Sequence, residues 1–329
     1  MLGDGEVAGP VDVAVTEDVW ASALAELATR RPVIRCGDAW QDRDRLVGVA
    51  SQARALVVRN RTMVDEDLLS RCPRLQIVAR AGVGLDNIDV AAADRAGVVV
   101  SAPLGANAVS VAEHTIGLAL ALARGTVALD ADCRAGNWSR RPGRELRGRT
   151  WGLVGAGATA RACGELATAL GLRVLAYDPY VDPRHPGLAR AGITLAPLAD
   201  VVAAADVLSC HLPGGTETTG LVGRDLIASM RPDALFINVG RGEVVDEDAL
   251  ADALESGAIA GAALDVRAQE PPGRGRIEKL GNVILTPHIA GITAESQQRI
   301  MQVLADDIEA VLSGTEAASA VGTSRKARS

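Results

Sequence analysis

The stretch GLVGAGATARACG, residues 152–164, decides the fold of the second half of this chain. It comes close to the glycine-rich turn G-x-G-x-x-G that binds a dinucleotide, with Gly155 and Gly157 in the first two positions and Ala160 in the third. Alone the motif is ambiguous, because small residues at this spacing recur by chance in a chain with 35 glycines. A packing turn without a ligand is the alternative interpretation.

The segments around this turn favour nucleotide binding. TWGLVG is typical of a buried strand, the Ala-rich segment after the turn predicts a helix ending at Gly171, and LRVLAYD predicts a second strand ending in Asp178. An acid at this place accepts the ribose hydroxyls of NAD and repels a 2′-phosphate. The pyrophosphate would lie at the helix N-terminus, and Ala160 is acceptable because the third position needs a small residue.

Short apolar runs alternate with helical patterns along the chain and predict an α/β fold. We expect two Rossmann-like, doubly wound parallel-sheet domains with an active-site cleft between them. The predicted substrate domain is discontinuous, residues 1–104 and 291–329, and the NAD-binding domain is 105–290. One long helix over 107–136 is expected to link them, and the small, polar tail 314–329 is expected to be disordered.

The composition excludes several classes of function. A net charge of −7 and a pI near 5.3 argue against nucleic acid as a partner. The N-terminus lacks the features of a signal peptide, and no long apolar stretch predicts a membrane span, so we expect a cytoplasmic protein. The five cysteines are scattered without ligand spacing, which predicts reduced thiols and no metal site.

Several further motifs occur in a fixed order downstream and upstream of the turn. They are VARAGVGLDNIDVAAADRAGVVVSAP, SVAEHT, INVGRGEVVDEDAL, GAALDVRAQEPP and NVILTPHIAG. With these motifs the chain resembles the D-isomer-specific 2-hydroxyacid dehydrogenase family over most of residues 55–300, and most closely phosphoglycerate dehydrogenases without a regulatory extension. The resemblance implies a homodimeric enzyme that transfers a hydride between NAD and a small D-2-hydroxy acid or its 2-oxo form.

The resemblance also implies a catalytic trio of Arg241, Glu270 and His288. Their chemistry suits the reaction, because reduction of a 2-oxo acid needs a proton at the carbonyl oxygen and an imidazole titrates near neutral pH. A carboxylate such as Glu270 would hold the ring and favour its protonated form, and the guanidinium of Arg241 would bind the substrate carboxylate. Taken singly, Glu270 could be a solvated loop acid and His288 a histidine satisfied at a strand end.

Other roles are carried over from the family position by position. Asp265 would bind the nicotinamide carboxamide, and Arg59 would lie near the distal end of the substrate, where a phosphate needs a cation. Backbone N–H groups of Val83 and Gly84 would bind the substrate carboxylate. The implied cofactor-binding set is Gly155, Gly157, Ala158, Thr159, Asp178, His211, Pro213, Val239, Asp265 and Gly291. His114 is expected to be structural.

Two departures from the family pattern affect these expectations. Ala158 replaces a larger polar residue, and Thr159-Ala160 replaces Ile-Gly, which predicts weaker binding of the pyrophosphate. Leu104 in APLGAN leaves the substrate open. The best candidate is 3-phosphoglycerate with 3-phosphohydroxypyruvate. Glyoxylate, hydroxypyruvate or a hydroxy acid of secondary metabolism are alternatives within the class, and an NAD-binding regulatory protein without turnover is the alternative outside it.

Overall fold

The computed structural model describes residues 11–19 and 22–327, and these form two compact units. One unit contains the described residues up to Asn107 and those from Ile292 onward, and the other is Ala108–Gly291. The assignment of the units to substrate and cofactor, and the cleft between them, stay predictions. What the sequence predicts for residues 1–10 and for the last two residues lies outside the described part.

The first unit is a parallel sheet with helices on both faces. Among the described residues the strand order is β13-β5-β4-β3-β1-β2, parallel except for β13. Its elements, labelled in chain order, are β1 (Val13–Val15), α1 (Ser22–Arg30), β2 (Val33–Arg35), α2 (Arg43–Ala50), β3 (Ala55–Val58), α3 (Glu66–Arg71), β4 (Ile77–Arg80), α4 (Val90–Ala96), β5 (Val99–Ser101), α12 (Ala294–Leu312) and β13 (Ala320–Val321).

The second unit is a larger parallel sheet in the order β12-β11-β10-β9-β6-β7-β8. Its elements are α5 (Ala108–Arg124), α6 (Thr126–Arg134), β6 (Thr150–Val154), α7 (Ala158–Ala169), β7 (Arg173–Tyr177), α8 (Pro186–Arg190), β8 (Ile193–Leu195), α9 (Leu198–Ala204), β9 (Val207–Cys210), α10 (Arg224–Ala228), β10 (Leu235–Asn238), α11 (Glu247–Glu255), β11 (Gly261–Leu264) and β12 (Val283–Leu285). In the part of the chain that the structure describes, no helix has the length and apolar character needed to cross a membrane.

The central strands are buried along their whole length and mainly apolar, because helices cover both faces of each sheet. Every residue of β3, β4, β6, β9, β10 and β11 is buried. Trp151 of β6 and Phe236 of β10 are the largest of the fully buried side chains. Aspartates begin several helices by accepting a backbone N–H, as Asp65 does from Leu68. The predicted α/β class with two doubly wound sheets is confirmed.

The long linking helix predicted over 107–136 is wrong in one respect. The chain forms two helices, α5 and α6, separated by Gly125, whose φ is 62°. A left-handed residue cannot continue a right-handed helix, so the direction of the chain changes there. The apolar spacing on either side of Gly125 looks continuous in sequence, which is why the break was not predicted.

The expected disorder of the tail is also wrong for residues 314–327, which the structure describes as ordered. Ala320 and Val321 pair antiparallel with β5 and complete the edge of the first sheet. Asp307, which is buried, accepts hydrogen bonds from the Ser101 hydroxyl and from backbone N–H groups of Ala318 and Ser319. The tail is therefore held through backbone groups, and its polar composition gave no sign of this.

We predict that Asp307→Ala lowers the free energy of unfolding by roughly 1–3 kcal/mol, because buried donors lose their acceptor. The neighbouring variant Asp306→Ala is a matched control, since Asp306 is exposed on the same helix and its loss should change stability by less than about 0.5 kcal/mol. Urea denaturation of both variants checks the prediction. Equal midpoints for the two variants would mean that the Asp307 contacts do not hold the tail.

Candidate active site

The glycine turn lies where the strand order of the second sheet reverses. The chain passes outward through β7 and β8 on one side of β6 and through β9 to β12 on the other, so the switch falls between β6 and β9. Ligands of open α/β sheets bind at the carboxyl ends of the strands at this point. The turn follows β6 directly, and α7 begins at Ala158 with Gly157 as its N-cap.

The small residues of the turn serve different purposes. Gly155 has a φ of 100°, which a residue with a side chain rarely adopts, and it lies against the backbone of His211. No atom of the described residues lies within 4 Å of the place that a Cβ on Gly157 would take, so these residues leave the approach to the helix N-terminus open. Ala160 is fully buried, as a residue in the third position should be if it packs the helix against the sheet.

Asp178 follows the end of β7 and is tied to the glycine turn. Its carboxylate accepts hydrogen bonds from the backbone N–H of Ala156 at 2.8 Å, of Tyr180 at 2.9 Å and of Val181 at 3.2 Å. The acid is therefore oriented by the same turn that would hold the pyrophosphate. Thr159 is half-buried and Ala158 is exposed in the first turn of α7.

His211 follows β9 and lies next to Gly155. Its Nε2 is 2.9 Å from the hydroxyl of Ser209, which also accepts a hydrogen bond from Trp151 Nε1 at 2.8 Å. Burial lowers the pKa of His211 to about 3, so the ring is neutral at physiological pH. Pro213 is exposed just beyond it.

Two of the predicted catalytic residues are in direct contact. His288 Nδ1 donates a hydrogen bond to Glu270 Oε2 at 2.8 Å, and both side chains are partly exposed. Burial acts to raise the pKa of Glu270, but the hydrogen bonds from His288 and from the backbone N–H of Arg267, with the charges of His288 and Arg241, hold it below its ordinary value. The ring is thus fixed through Nδ1, which leaves Nε2 for a substrate.

Arg241 belongs to a tight turn after β10. The buried side chain of Asn238 accepts a hydrogen bond from Gly240 N at 3.1 Å and donates one to Arg241 O at 3.0 Å. A Cβ on Gly242 would lie 1.9 Å from the carbonyl carbon of Arg267, so only glycine fits there. Val239, two residues before Arg241, is buried, and its backbone N–H donates to the carbonyl of Cys210 at 3.3 Å.

The segment that carries Glu270 is anchored by Arg267, which the sequence did not single out. Arg267 forms two hydrogen bonds with the carboxylate of Glu247, at 3.0 and 2.8 Å, and a third with Glu278. These bonds raise the pKa of Arg267. The backbone N–H of Arg267 donates to Glu270 Oε1 at 3.0 Å, so both carboxylate oxygens of Glu270 have a partner.

In this structure the carboxylate of Asp265 holds a neighbouring segment of the chain. Its carboxylate is fully buried and accepts hydrogen bonds from the hydroxyl of Thr286 and the backbone N–H groups of Ile289 and Ala290. These bonds hold the segment that carries His288, whose φ of 54° is unusual for a residue with a side chain. The predicted contact with nicotinamide finds no support in this burial and stays a prediction, as does the role of Gly291.

Arg59, Val83 and Gly84 belong to the first unit, whereas the predicted catalytic trio belongs to the second. Arg59 follows β3 and is half-buried, and its backbone N–H donates to the buried carboxylate of Glu17 at 2.7 Å. Burial lowers the pKa of Arg59, although the negative charge of Glu17 acts to raise it. The N–H groups of Val83 and Gly84 donate no hydrogen bond to any described residue.

Two further arginines lie at the carboxyl ends of strands in the first unit. Arg80 ends β4 and is 7% exposed, and its guanidinium occupies the place where a Cβ on Gly82 would lie. Arg61 lies over the ring of Trp40 at 4.7 Å. Sequence reasoning missed both, although the spacing of Arg59 and Arg61 in VVRNRT was visible.

Comparisons with known proteins agree with this geometry. Residues 116–290 match the model of the D-isomer-specific 2-hydroxyacid dehydrogenase NAD-binding domain. A D-3-phosphoglycerate dehydrogenase of Mycobacterium tuberculosis is 44% identical over 276 residues, 83% of this chain and 52% of that protein. An (S)-sulfolactate dehydrogenase of Chromohalobacter salexigens is 39% identical over 92% of this chain and 98% of that protein.

Among solved structures, the NADPH-dependent glyoxylate/hydroxypyruvate reductase of Sinorhizobium meliloti is 29% identical with a TM-score of 0.83, covering 98% of this chain and 99% of that one. The chain spans about half the length of the phosphoglycerate dehydrogenases it matches. The protein belongs to the D-isomer-specific 2-hydroxyacid dehydrogenase family. Its second unit contains that family's NAD-binding domain.

We predict that the stability lost in Glu270→Gln depends on pH. Since the pKa of Glu270 is lowered by folding, its ionised form stabilises the native state above the ordinary carboxyl pKa near ~4.3, and this contribution disappears as the pH falls through the lower native value. Urea midpoints of the wild type and the variant should differ at pH 6, and the difference should shrink as the pH falls through the lowered native pKa of Glu270. A difference that stays equal as the pH falls would contradict the prediction.

Proposed function

We propose that this protein is an NAD-dependent oxidoreductase that transfers a hydride between nicotinamide and a small D-2-hydroxy acid or its 2-oxo form. The observation that carries the proposal is the 2.8 Å hydrogen bond between His288 and Glu270, inside the part of the chain that matches the family's NAD-binding model. Lone residues of these types are common at strand ends. Acid–base catalysis on an anionic substrate requires a positioned proton donor and a nearby cation. Here the imidazole of His288 is held by the carboxylate of Glu270, and Arg241 is close enough to lower the pKa of Glu270.

Each member of the trio has a separate task in this proposal. NADH, when bound by the second unit, would supply the hydride for reduction of the 2-oxo acid. His288 gives a proton from Nε2 to the carbonyl oxygen, and Glu270 keeps the ring in position through Nδ1. Arg241 binds the carboxylate with its planar guanidinium, which also polarises the carbonyl group.

The proposed cofactor is NAD rather than NADP. Asp178, oriented by three backbone N–H groups, presents a carboxylate where a 2′-phosphate would be repelled. Gly155, Gly157, Ala158 and Thr159 would bind the pyrophosphate through the turn and the first turn of α7. Because Ala158 brings no polar side chain, we expect modest cofactor affinity.

The proposed substrate carries a second negative charge at its distal end. Arg59, Arg61 and Arg80 all lie at carboxyl ends of neighbouring strands of the first unit, and burial of Arg59 increases the benefit of pairing it with an anion. This supports 3-phosphoglycerate with 3-phosphohydroxypyruvate as the best candidate. The unused N–H groups of Val83 and Gly84 are proposed to bind the carboxylate.

Sulfolactate is a second candidate, favoured by the match to a sulfolactate dehydrogenase over nearly the full length of both chains. Its sulfonate takes the place of the phosphate ester as the distal anion. (S)-sulfolactate has the same spatial arrangement at C2 as a D-2-hydroxy acid, because sulfur ranks its CH₂ group above the carboxylate in the naming rules. Glyoxylate, hydroxypyruvate and secondary-metabolism hydroxy acids lack this argument and remain alternatives.

We also propose a homodimer in the cytoplasm. Helices α5 and α6 and the segment that follows them expose Leu120, Val127 and Trp138, and Trp138 is 84% exposed. Large apolar side chains left exposed are typical of an interface between subunits. The five cysteines are all free thiols, which supports a reducing compartment.

Turnover of a panel of 2-oxo acids with NADH and NADPH tests the function. We expect oxidation of NADH by at least one acid with a distal anion, and loss of most turnover in His288→Ala with NADH binding retained, because the ring moves a proton and does not hold the cofactor. NADH binding without turnover of any acid would favour a regulatory protein instead. Undiminished turnover in His288→Ala would refute the mechanism.

Arg59→Ala tests the distal anion. We expect the KM for 3-phosphohydroxypyruvate to rise roughly tenfold or more, because a charge-assisted hydrogen bond is lost, and the KM for glyoxylate to change little. Arg74→Ala is the matched control, since Arg74 is exposed in the same unit. The same panel should include 3-sulfopyruvate. Equal changes for glyoxylate and the larger acids would exclude Arg59 from the distal site.

A further inference from the structure

A chain of hydrogen bonds extends from the segment that carries His288 to helix α5. The hydroxyl of Thr286 donates to Asp265 Oδ1 at 2.6 Å, and His114 Nε2 lies 3.2 Å from the same hydroxyl. The other end of the chain is the carboxylate of Asp265, which accepts the N–H groups of Ile289 at 2.9 Å and Ala290 at 2.8 Å. These two residues follow His288 directly.

The direction of the bonds fixes the tautomer of His114. Because the only hydroxyl hydrogen of Thr286 is given to Asp265, the Thr286 oxygen can serve His114 only as an acceptor. Nε2 of His114 therefore carries a hydrogen and donates it. The same nitrogen is 3.6 Å from Asp265 Oδ1, so the donor faces the carboxylate as well as the hydroxyl.

The segment 286–290 needs this support because its conformation is costly. His288 is the one residue with a side chain and a positive φ among the described residues, at 54°. Such a conformation persists only where the surroundings impose it. The N–H of His288 also donates to Asp265 O at 2.8 Å, so backbone and side chain of Asp265 hold both sides of the residue.

We propose that His114 and Thr286 are positioning residues, which orient Asp265 so that His288 is held with Nδ1 on Glu270. This inference rests on the proposed function, and it assigns to His114 a role beyond packing. Without the Thr286 hydroxyl, the Asp265 carboxylate loses one hydrogen-bond donor and gains rotational freedom. The N–H groups of Ile289 and Ala290 then lose a fixed partner, and the imidazole loses its orientation.

Paired variants separate the hydrogen bonds from packing. Thr286→Val keeps the shape and removes the hydroxyl, and Thr286→Ser keeps the hydroxyl. His114→Leu removes the donor, whereas His114→Gln retains an N–H in its place. We expect Thr286→Val and His114→Leu to lower kcat about tenfold or more with the KM for NADH nearly unchanged, since misplacement of a catalytic group acts mainly on the chemical step. Thr286→Ser and His114→Gln should restore most of kcat.

A second readout does not depend on turnover. Hydrogen–deuterium exchange of the peptide 286–291 should become at least about tenfold faster in Thr286→Val and His114→Leu. The core strand β6 (150–154) should keep its protection, because only the segment 286–291 opens more often. The double variant should be no worse than Thr286→Val, since both changes break one chain. If the wild type reduces no acid, the proposed function fails but exchange still tests the network.

The exchange and kinetic results for the Thr286 and His114 variants decide between support and rejection of the proposal. Local acceleration in Thr286→Val and His114→Leu, with rescue by Ser and Gln, supports the proposal, and a matching loss of kcat in an active enzyme supports its catalytic consequence. Unchanged exchange in both variants overturns it. Acceleration that is uniform along the chain, or a kcat that stays at the wild-type value while exchange accelerates, also overturns it.

Discussion

The buried carboxylate of Asp265 is the constraint on which the candidate active site depends. Burial of a carboxylate costs free energy unless hydrogen-bond donors replace the lost water. Neighbouring donors must therefore lie within hydrogen-bonding distance of it. Here two backbone N–H groups and a hydroxyl do so, and all three belong to the segment that carries His288. The position of the imidazole is therefore a consequence of satisfying an acid one strand away.

The first unit also contains a buried acid whose carboxylate accepts backbone N–H groups of a loop. Glu17 is buried after β1 and accepts the backbone N–H groups of Arg59, Arg61 and Thr62. In both units an acid at the carboxyl end of a strand fixes the backbone of a loop that follows another strand. A parallel sheet favours this arrangement because its strands deliver their loops to one edge.

Local patterns in the sequence predicted the sheets, the glycine turn and Asp178, whereas the trio was implied by the resemblance to the family. The parallel strands were predictable because each is a buried apolar run, and the turn because its glycines flank a strand and a helix. Asn238, Arg267 and Thr286 were missed, since their tasks depend on partners brought together only by the folded loops. The break at Gly125 and the order of residues 314–327 were missed for a related reason, because a single backbone angle and a set of backbone bonds decided them.

The short strand β13 has a consequence for the behaviour of the protein in a crowded cell. An uncovered sheet edge is a template on which other chains can form strands and aggregate. By placing Ala320 and Val321 on β5 in the antiparallel sense, the chain covers its own parallel edge with a strand only two residues long. The left-handed Gly322, with a φ of 81°, ends that strand at once. The edge strand on this side is therefore only two residues long, which leaves little backbone on which another chain could pair.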